Sequence, residues 1–156
     1  MLVADGLTDI QIIDSRFHNI TSQVGAISFN RLSNTTYTLI SGCEFENCTA
    51  QTNAGLSITS SNITIENSVF KGNKATGDRN GAGDGAAIYL SDTYEKVIQN
   101  CTFLGNEAVR NGGAIFWNGI EPIMMNNTFI DNEAPYGPDI ATTASWISIE
   151  NASRRL

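Results

Sequence analysis

The sequence predicts an all-β fold in which repeated units stack as the coils of a parallel β-helix. One observation is an internal repeat anchored on phenylalanine. A second is the set of short β-branched runs with alternating polarity, such as NITIEN at 62–67. The third is that no window carries a sustained 3.6-residue apolar period. A single unit of this length cannot bury its own apolar face, so the copies are expected to stack.

Five phenylalanines mark equivalent points of the repeat, at spacings of 28, 25, 33 and 26 residues. The surrounding text is similar each time: NSVFKGN, NCTFLGN and NNTFIDN in three copies, DSRFHN and GCEFEN in two looser ones. We expect each ring to lie about 4.8 Å from the next, the spacing between neighbouring strands. The anchoring residues are Phe17, Phe45, Phe70, Phe103 and Phe129.

Further inward columns follow when each phenylalanine is taken as position zero. Position −5 is apolar in every copy, a second apolar position recurs after the phenylalanine, and position −2 is always small or compact. Stacked columns of this kind would fill the interior of a solenoid. The two apolar columns are Ile12, Ile40, Ile65, Ile98 and Met124, and Ile27, Leu56, Ile88, Ile115 and Ile140.

Position −3 marks a bend between two strands. Its residue types all tolerate a turn or left-handed backbone. We expect the amides at this position to form a buried asparagine ladder along the stack. The residues are Asp14, Gly42, Asn67, Asn100 and Asn126.

The repeat runs through the whole chain, so we expect residues 1–156 to form a single β-helix segment of about five coils. The text WISIEN at 146–151 matches NITIEN and opens a partial sixth coil. The longest spacing is explained by an insertion, GDRNGAGDG at 77–85, that bulges from one corner. Neither end shows a polar cap, so we expect further coils or another subunit to cover the open ends.

The paired motifs FxxN and GGA[I/L/V] carry a family resemblance. FxxN occurs at Phe70, Phe103 and Phe129, and GGAI occurs intact at 112–115. The chain resembles the repeats of polymorphic outer-membrane proteins, and of large surface or extracellular proteins of ciliates. The resemblance implies a right-handed parallel β-helix, a pectin-lyase-like solenoid, whose repeated residues are scaffold. The first two coils depart from the motif, because Asn19 and Asn47 follow the phenylalanine by only two residues.

Composition and charge limit the classes of partner that the chain can bind. The formal net charge is −7 with a sequence pI near 4.5, and such a surface repels nucleic acid and anionic lipid. No apolar run approaches the roughly 18 residues that a membrane span needs. The start, MLVADGLTDIQIID, is not a signal peptide, so a signal for export would lie outside this chain.

Candidate chemistry is sparse, and we expect no catalytic residue, no metal ligand and no cofactor. Glu107 and Glu133 share position +4 on adjacent coils, but no Lys or Arg joins them in register, so they are interpreted as surface residues. His18 is the only histidine and is expected to point outward without a partner. GGAI lacks any phosphate-loop pattern. The insertion at 77–85 lacks a closing glutamate for calcium and is interpreted as a solvated loop.

Three cysteines and seven N-x-S/T sequons bear on the compartment. Cys43 and Cys101 lie two coils apart, too far for a disulfide. A bridge from Cys43 to Cys48 would strain the strand, so buried thiols are expected. The sequons at Asn100, Asn126 and Asn151 fall on the predicted ladder and are expected to be buried. The glycosylation candidates are therefore Asn34, Asn62, Asn19 and Asn47.

The leading functional prediction is a structural or adhesive scaffold, extracellular or at the cell surface, that takes part in surface assembly or cell contact. Its partners would be proteins or further coils at the open ends, with glycans as a further class. One alternative is a carbohydrate-active lyase or hydrolase. Another is a glycan-binding module that uses Tyr89, Phe116 and Tyr94, since Tyr89 and Phe116 share an outward column. Tyr89 and Phe116 are the predicted partner contact.

Overall fold

The computed structural model describes residues 2–4, 9–30, 37–59, 62–77, 82–91, 94–143 and 153–155. The described residues form 21 short β-strands, and every strand pair is parallel. The strands form four sheets, and the chain winds through them in a right-handed sense. Each of the first four coils passes through all four sheets, and the fifth contributes strands to three of them. No helix within these ranges is long and apolar enough to cross a membrane. The predicted all-β right-handed parallel β-helix is confirmed.

Sheet 2 carries the column of repeated phenylalanines, and sheet 1 carries the apolar column at position −5. Sheet 1 contains β2 (Asp9–Ile13), β6 (Tyr37–Ser41), β10 (Asn62–Glu66), β14 (Lys96–Gln99) and β18 (Ile123–Met125). Sheet 2 contains β3 (Arg16–His18), β7 (Glu44–Glu46), β11 (Val69–Lys71), β15 (Thr102–Leu104), β19 (Thr128–Ile130) and β21 (Ser153–Arg155).

Sheets 3 and 4 complete each coil. Sheet 3 contains β4 (Thr21–Ser22), β8 (Thr49–Ala50), β12 (Lys74–Ala75) and β16 (Glu107–Ala108). Sheet 4 contains β1 (Leu2–Ala4), β5 (Ile27–Phe29), β9 (Leu56–Thr59), β13 (Ile88–Ser91), β17 (Ile115–Trp117) and β20 (Ile140–Thr142).

The register confirms the predicted columns. Phe45 pairs with Phe17 on one side and Phe70 on the other, and the series continues through Phe103 to Phe129. Successive ring centroids are 4.9, 4.8, 5.1 and 5.0 Å apart, close to the strand spacing, so the rings stack directly. Both apolar columns pair in the same register across sheets 1 and 4. The interior of the solenoid is therefore a set of continuous apolar stacks.

The prediction of a buried ladder at position −3 is wrong. All five residues there have φ between 48° and 64° and are exposed. The left-handed backbone turns these side chains outward at the corner between sheets 1 and 2. A second corner, between sheets 2 and 3, has the same conformation at position +2. Its residues are Asn19, Asn47, Gly72, Gly105 and Asp131.

The buried ladder lies at position +3, where the FxxN motif places its asparagine. Asn73, Asn106 and Asn132 are almost completely buried. The Nδ2 of Asn106 donates to Asn132 Oδ1 at 2.9 Å and to the carbonyl of Phe70 at 3.0 Å, and Asn73 makes the equivalent pair of bonds. The side chains thus link consecutive coils while satisfying backbone groups.

The partial sixth coil is seen only in β21, whose Arg154 pairs with Phe129. That position is where the repeat would place the next phenylalanine. The text WISIEN at 146–151 lies outside the described residues. The departure of the first two coils from FxxN does not alter the corner, since Asn19 and Asn47 both have φ of 54°, close to the 60° and 62° of the glycines at that position in the next two coils.

Candidate functional site

Outward residues of sheet 4 form a column that changes character along the stack. Its members are Ser28, Ser57, Tyr89, Phe116 and Ala141. The rings of Tyr89 and Phe116 stack, with centroids 5.5 Å apart and planes 16° from parallel. Phe116 is only 6% exposed, so it offers little surface of its own, and Tyr89 is half-buried. Tyr94 is exposed but does not line the groove described next.

A groove of about 390 Å³ lies over the serine end of this column and against Tyr89. We call it the sheet 4 groove. The volume falls in the range of small-ligand sites. Its wall on one side includes Asp84 from the insertion and Arg110 from the following coil, whose charged groups are 3.7 Å apart. The full lining is Val24, Asn30, Thr52, Asn53, Ser57, Thr59, Ala82, Gly83, Asp84, Tyr89 and Arg110.

Two asparagine amides, one buried and one half-buried, hold the wall of the groove in place. The Asn53 amide lies 3.2 Å from Ser57 Oγ, and with its Nδ2 directed at the Asp84 carbonyl it donates there at 2.8 Å. The Asn111 Nδ2 donates to Asp84 Oδ1 at 2.7 Å. Asp84 is therefore fixed from two neighbouring coils. Sequence reasoning placed Asp84 in a solvated loop, and residues 78–81 of that loop lie outside the described residues.

Glu107 and Glu133 are neighbours, but the prediction that no Lys or Arg joins them in register is wrong. Their backbones form a parallel bridge, and Lys74 pairs with Glu107 on the other side. The Lys74 Nζ is 2.7 Å from Glu107 Oε2, and this hydrogen bond raises the pKa of Lys74. Lys74 occupies position +4 of its coil, so the alignment could have revealed it. Both glutamates also line a second cavity of about 540 Å³.

The prediction that His18 stands without a partner is also wrong. On the outer face of sheet 2, His18 Nε2 is 3.3 Å from Glu44 Oε2, and its Nδ1 is 3.7 Å from Glu46 Oε2. The ligand atoms of these three residues lie within 4.8 Å of one another, so they are the candidate ligands for a cation. Each carboxylate already has a cation beside it, Arg16 at 3.3 Å from Glu44 and Lys71 at 2.6 Å from Glu46. The Lys71 hydrogen bond lowers the pKa of Glu46.

On the described outer face of sheet 2, each of these glutamates is therefore balanced by a basic side chain. The two ring nitrogens of His18 face different carboxylates. A cation bound by both glutamates could therefore be coordinated by only one of the two ring nitrogens. His18 and Glu46 share position +1 on adjacent coils, and that register is the signal that sequence reasoning missed.

The three cysteines are free and buried, as the sequence predicted. Burial raises the pKa of Cys43 and Cys48, and it raises the pKa of Cys101 to about 12. A thiol that resists ionisation is a poor nucleophile and a poor metal ligand. These groups act as small apolar residues of the core.

The sequons differ from expectation in the exposure of their asparagines. Asn100 and Asn126, expected to be buried, are exposed at the corner between sheets 1 and 2, and Asn19 and Asn47 are exposed at the other corner. The half-buried Asn62 accepts a hydrogen bond from the Glu95 N–H at 3.0 Å through its Oδ1. Asn34 and Asn151 lie outside the described residues.

A family model described as a right-handed β-helix region matches residues 2–153. No curated protein and no solved structure matches the chain.

Proposed function

Because the chain belongs to the right-handed β-helix family, we propose that it is a structural or adhesive scaffold that takes part in surface assembly or cell contact. The observation that carries the proposal is that the repeated residues form the contacts between coils. The phenylalanines stack, and the FxxN asparagines hydrogen-bond between coils. What the repeat specifies is therefore a rigid rod.

The outer faces support the same role. On sheet 2 the outward residue before each phenylalanine is Arg16, Glu44, Val69, Thr102 or Thr128, so the exterior chemistry differs among the first four coils and is the same in the last two. A scaffold with a constant interior and a variable exterior can present different contacts along its length. The net charge of −7 argues against nucleic acid as one of them.

The proposed location is extracellular or the cell surface. The chain carries seven sequons, and the asparagines of four of them lie exposed at corners. The FxxN and GGAI repeats favour a protein of the polymorphic outer-membrane type, where the resemblance implies display at a surface. Labelling of intact and permeabilised native cells with an antibody against the chain tests this. Labelling of intact cells is expected, and labelling only after permeabilisation contradicts the proposal.

The proposed partners are further coils or proteins that pair with strands at the ends of the sheets. Within the described ranges, β2, β3 and β4 each pair with one neighbouring strand, so one edge of each presents backbone groups for pairing. Sedimentation of residues 1–156 produced alone tests this proposal. Association that grows with concentration is expected, whereas a soluble monomer that unfolds cooperatively counts against it.

The carbohydrate-active alternative depends on Glu107 and Glu133, the only stacked carboxylate pair that the repeat register suggested. The Lys74 ion pair favours a structural role for Glu107. Incubation of the purified chain with a panel of neutral and acidic polysaccharides, read as new reducing ends, tests the alternative. We expect no release above buffer. Release that disappears in both Glu107→Gln and Glu133→Gln would establish an enzyme and refute the scaffold proposal.

A further inference from the structure

We infer that the sheet 4 groove binds one neutral pyranose residue of a glycan, with the sugar ring stacked on Tyr89 over Ser57. This binding site is independent of the scaffold role, and its failure would leave that role intact. Four features of the groove support the inference: the shape of the column, the polar rim, the charge balance and the rigidity.

The column of outward residues leaves a space of the right shape beside an aromatic ring. Phe116 and Tyr89 lie nearly parallel on adjacent coils, so the Tyr89 ring presents its faces along the column. The next position along is Ser57, which is 3% exposed and whose Oγ lies 3.2 Å from the Asn53 amide, so small polar groups and not another aromatic ring line the groove beside Tyr89. A pyranose is a chair-shaped ring whose axial C–H groups form an apolar patch on one face, and such C–H groups contact the electron-rich face of an aromatic ring favourably.

The rim of the groove carries hydrogen-bonding groups suited to sugar hydroxyls. Asp84 and Arg110 provide an acceptor and a donor on one side, and Asn30 and Thr59 lie on the other. The Asp84–Arg110 separation of 3.7 Å is longer than a tight ion pair, so both groups keep capacity for a hydroxyl between them. An apolar platform with a few convergent polar groups is the general pattern of a small-molecule site.

The charges of the groove favour a neutral sugar. The lining contains one carboxylate and one guanidinium, which balance each other, and the chain as a whole carries −7. An acidic sugar would meet an unfavourable overall potential without a surplus cation in the groove. The predicted ligand class is therefore a neutral hexose or N-acetylhexosamine.

The groove is organised before any ligand arrives. Phe116, almost fully buried, fixes Tyr89 from one side. Asn53 and Asn111 hold Asp84 from two coils. A rigid site loses little conformational entropy on binding, which is the condition under which weak sugar contacts give measurable affinity.

Saturation-transfer difference NMR on the full chain tests the inference. The probes are the methyl glycosides of glucose, galactose, mannose and N-acetylglucosamine, with methyl glucuronide as the acidic comparison. We expect transfer to the ring protons of at least one neutral glycoside and weaker transfer to the glucuronide. Absence of transfer to every neutral glycoside overturns the inference, and stronger transfer to the glucuronide overturns the predicted class.

Variants locate the signal in the groove. Tyr89→Ala removes the platform and should weaken binding about tenfold or more, as expected for loss of a central aromatic contact. Tyr89→Phe keeps the stacking surface and should retain binding. Tyr136→Ala is the matched control, because Tyr136 is highly exposed and does not line the groove. Undiminished binding by Tyr89→Ala refutes the site.

A second variant guards against loss of folding in Tyr89→Ala. Ser57→Phe would extend the aromatic column into the volume reserved for the sugar and should abolish transfer, while circular dichroism shows an intact β fold. If Ser57→Phe folds and still binds as wild type does, the sugar is not where we place it, and the inference fails.

Discussion

The first two coils and the last three solve the same packing problem with different chemistry. At position +3, Asn73, Asn106 and Asn132 donate from Nδ2 to the carbonyls of Phe45, Phe70 and Phe103, one coil back. In the second coil Cys48 occupies that position, and its Sγ lies 3.3 Å from the carbonyl of Phe17. The carbonyl and the corner are the same in both regions, but a thiol replaces the amide.

The corner and the carbonyl are therefore common to all of these coils, whereas the side chain at position +3 can be an amide or a thiol. A thiol is a weak hydrogen-bond donor and a weak acceptor. An amide provides a strong donor and a strong acceptor to the neighbouring coils. The Asn106 Oδ1 accepts from both the N–H and the Nδ2 of Asn73. From the second coil onward the coils are therefore joined at this point by asparagine side-chain hydrogen bonds, whereas the junction between the first two coils depends on the Cys48 thiol and on apolar packing.

The largest effect is expected at the centre of the ladder. Asn106→Ala removes bonds to Asn73, Asn132 and the Phe70 carbonyl, and leaves buried groups unsatisfied. We expect a loss of about 3 kcal/mol in the free energy of unfolding, measured by urea denaturation. Cys48→Ala at the same position of the apolar region is the matched control and should cost about 1 kcal/mol. Equal losses would show that the amide ladder contributes nothing beyond packing.

The shared corner should respond alike in both regions. Gly105 and Asn47 both have left-handed φ, and a Cβ at Gly105 would meet no other atom within 4 Å. Gly105→Ala should therefore destabilise by about 1 to 2 kcal/mol through backbone strain alone, and Asn47→Ala by about 1 kcal/mol. Gly105→Asn, which copies the first region, should recover much of the loss. A harmless Asn47→Ala would mean that the two corners are not equivalent.

The thiols at position −2 allow a comparison of burial across the two regions. Cys101 keeps its proton when folded, because burial raises its pKa from 9.0 to about 12. Stability from the neutral thiol is complete below about pH 9 and is lost as the pH rises towards 12. At pH 10 the wild type should have lost about 1 kcal/mol from this source, and Cys101→Ala should not show that loss. Burial also raises the pKa of Cys43, in the early region, so Cys43→Ala is the comparison and should remove a smaller part of the alkaline loss. An unchanged alkaline slope in Cys101→Ala contradicts the prediction.

The smallest effect is expected at an inward polar residue of the early region. Thr38 is fully buried in the column between Ile10 and Ile63, and its Oγ1 has no hydrogen-bond partner in the described part of the chain. Thr38→Val should stabilise the fold by up to about 1 kcal/mol, measured by urea denaturation. Thr64→Val is the control, because Thr64 Oγ1 lies 2.8 Å from the Tyr37 hydroxyl and the change should not stabilise.

The interior could be predicted because it repeats. The phenylalanine and isoleucine columns appear in the sequence as fixed offsets, and parallel stacking converts each offset into a contact. The asparagine ladder was misplaced because asparagine serves two purposes here. It tolerates the left-handed corner, as Asn100 does, and it bridges coils, as Asn106 does. Composition at a bend does not separate these roles; only the backbone conformation does.

The candidate site could be predicted only in part. Alternation along β13 and β17 placed Tyr89 beside Phe116, and the structure brings the two rings together. The burial of Phe116 and the position of Asp84 depend on loops whose lengths differ between coils, so no repeat offset encodes them. The Lys74–Glu107 and His18–Glu46 contacts are encoded by offsets, and complete alignment of charged residues would have found both.

The parallel register has a mechanical consequence. The backbone hydrogen bonds that join the coils run along the long axis of the solenoid. Tension between the two ends therefore acts on the coil junctions in series. Each coil holds 25 to 33 residues, so its release lengthens the chain by about 85 to 110 Å. Such a rod yields in steps, one coil at a time, and the coils that stay closed keep presenting an unaltered surface.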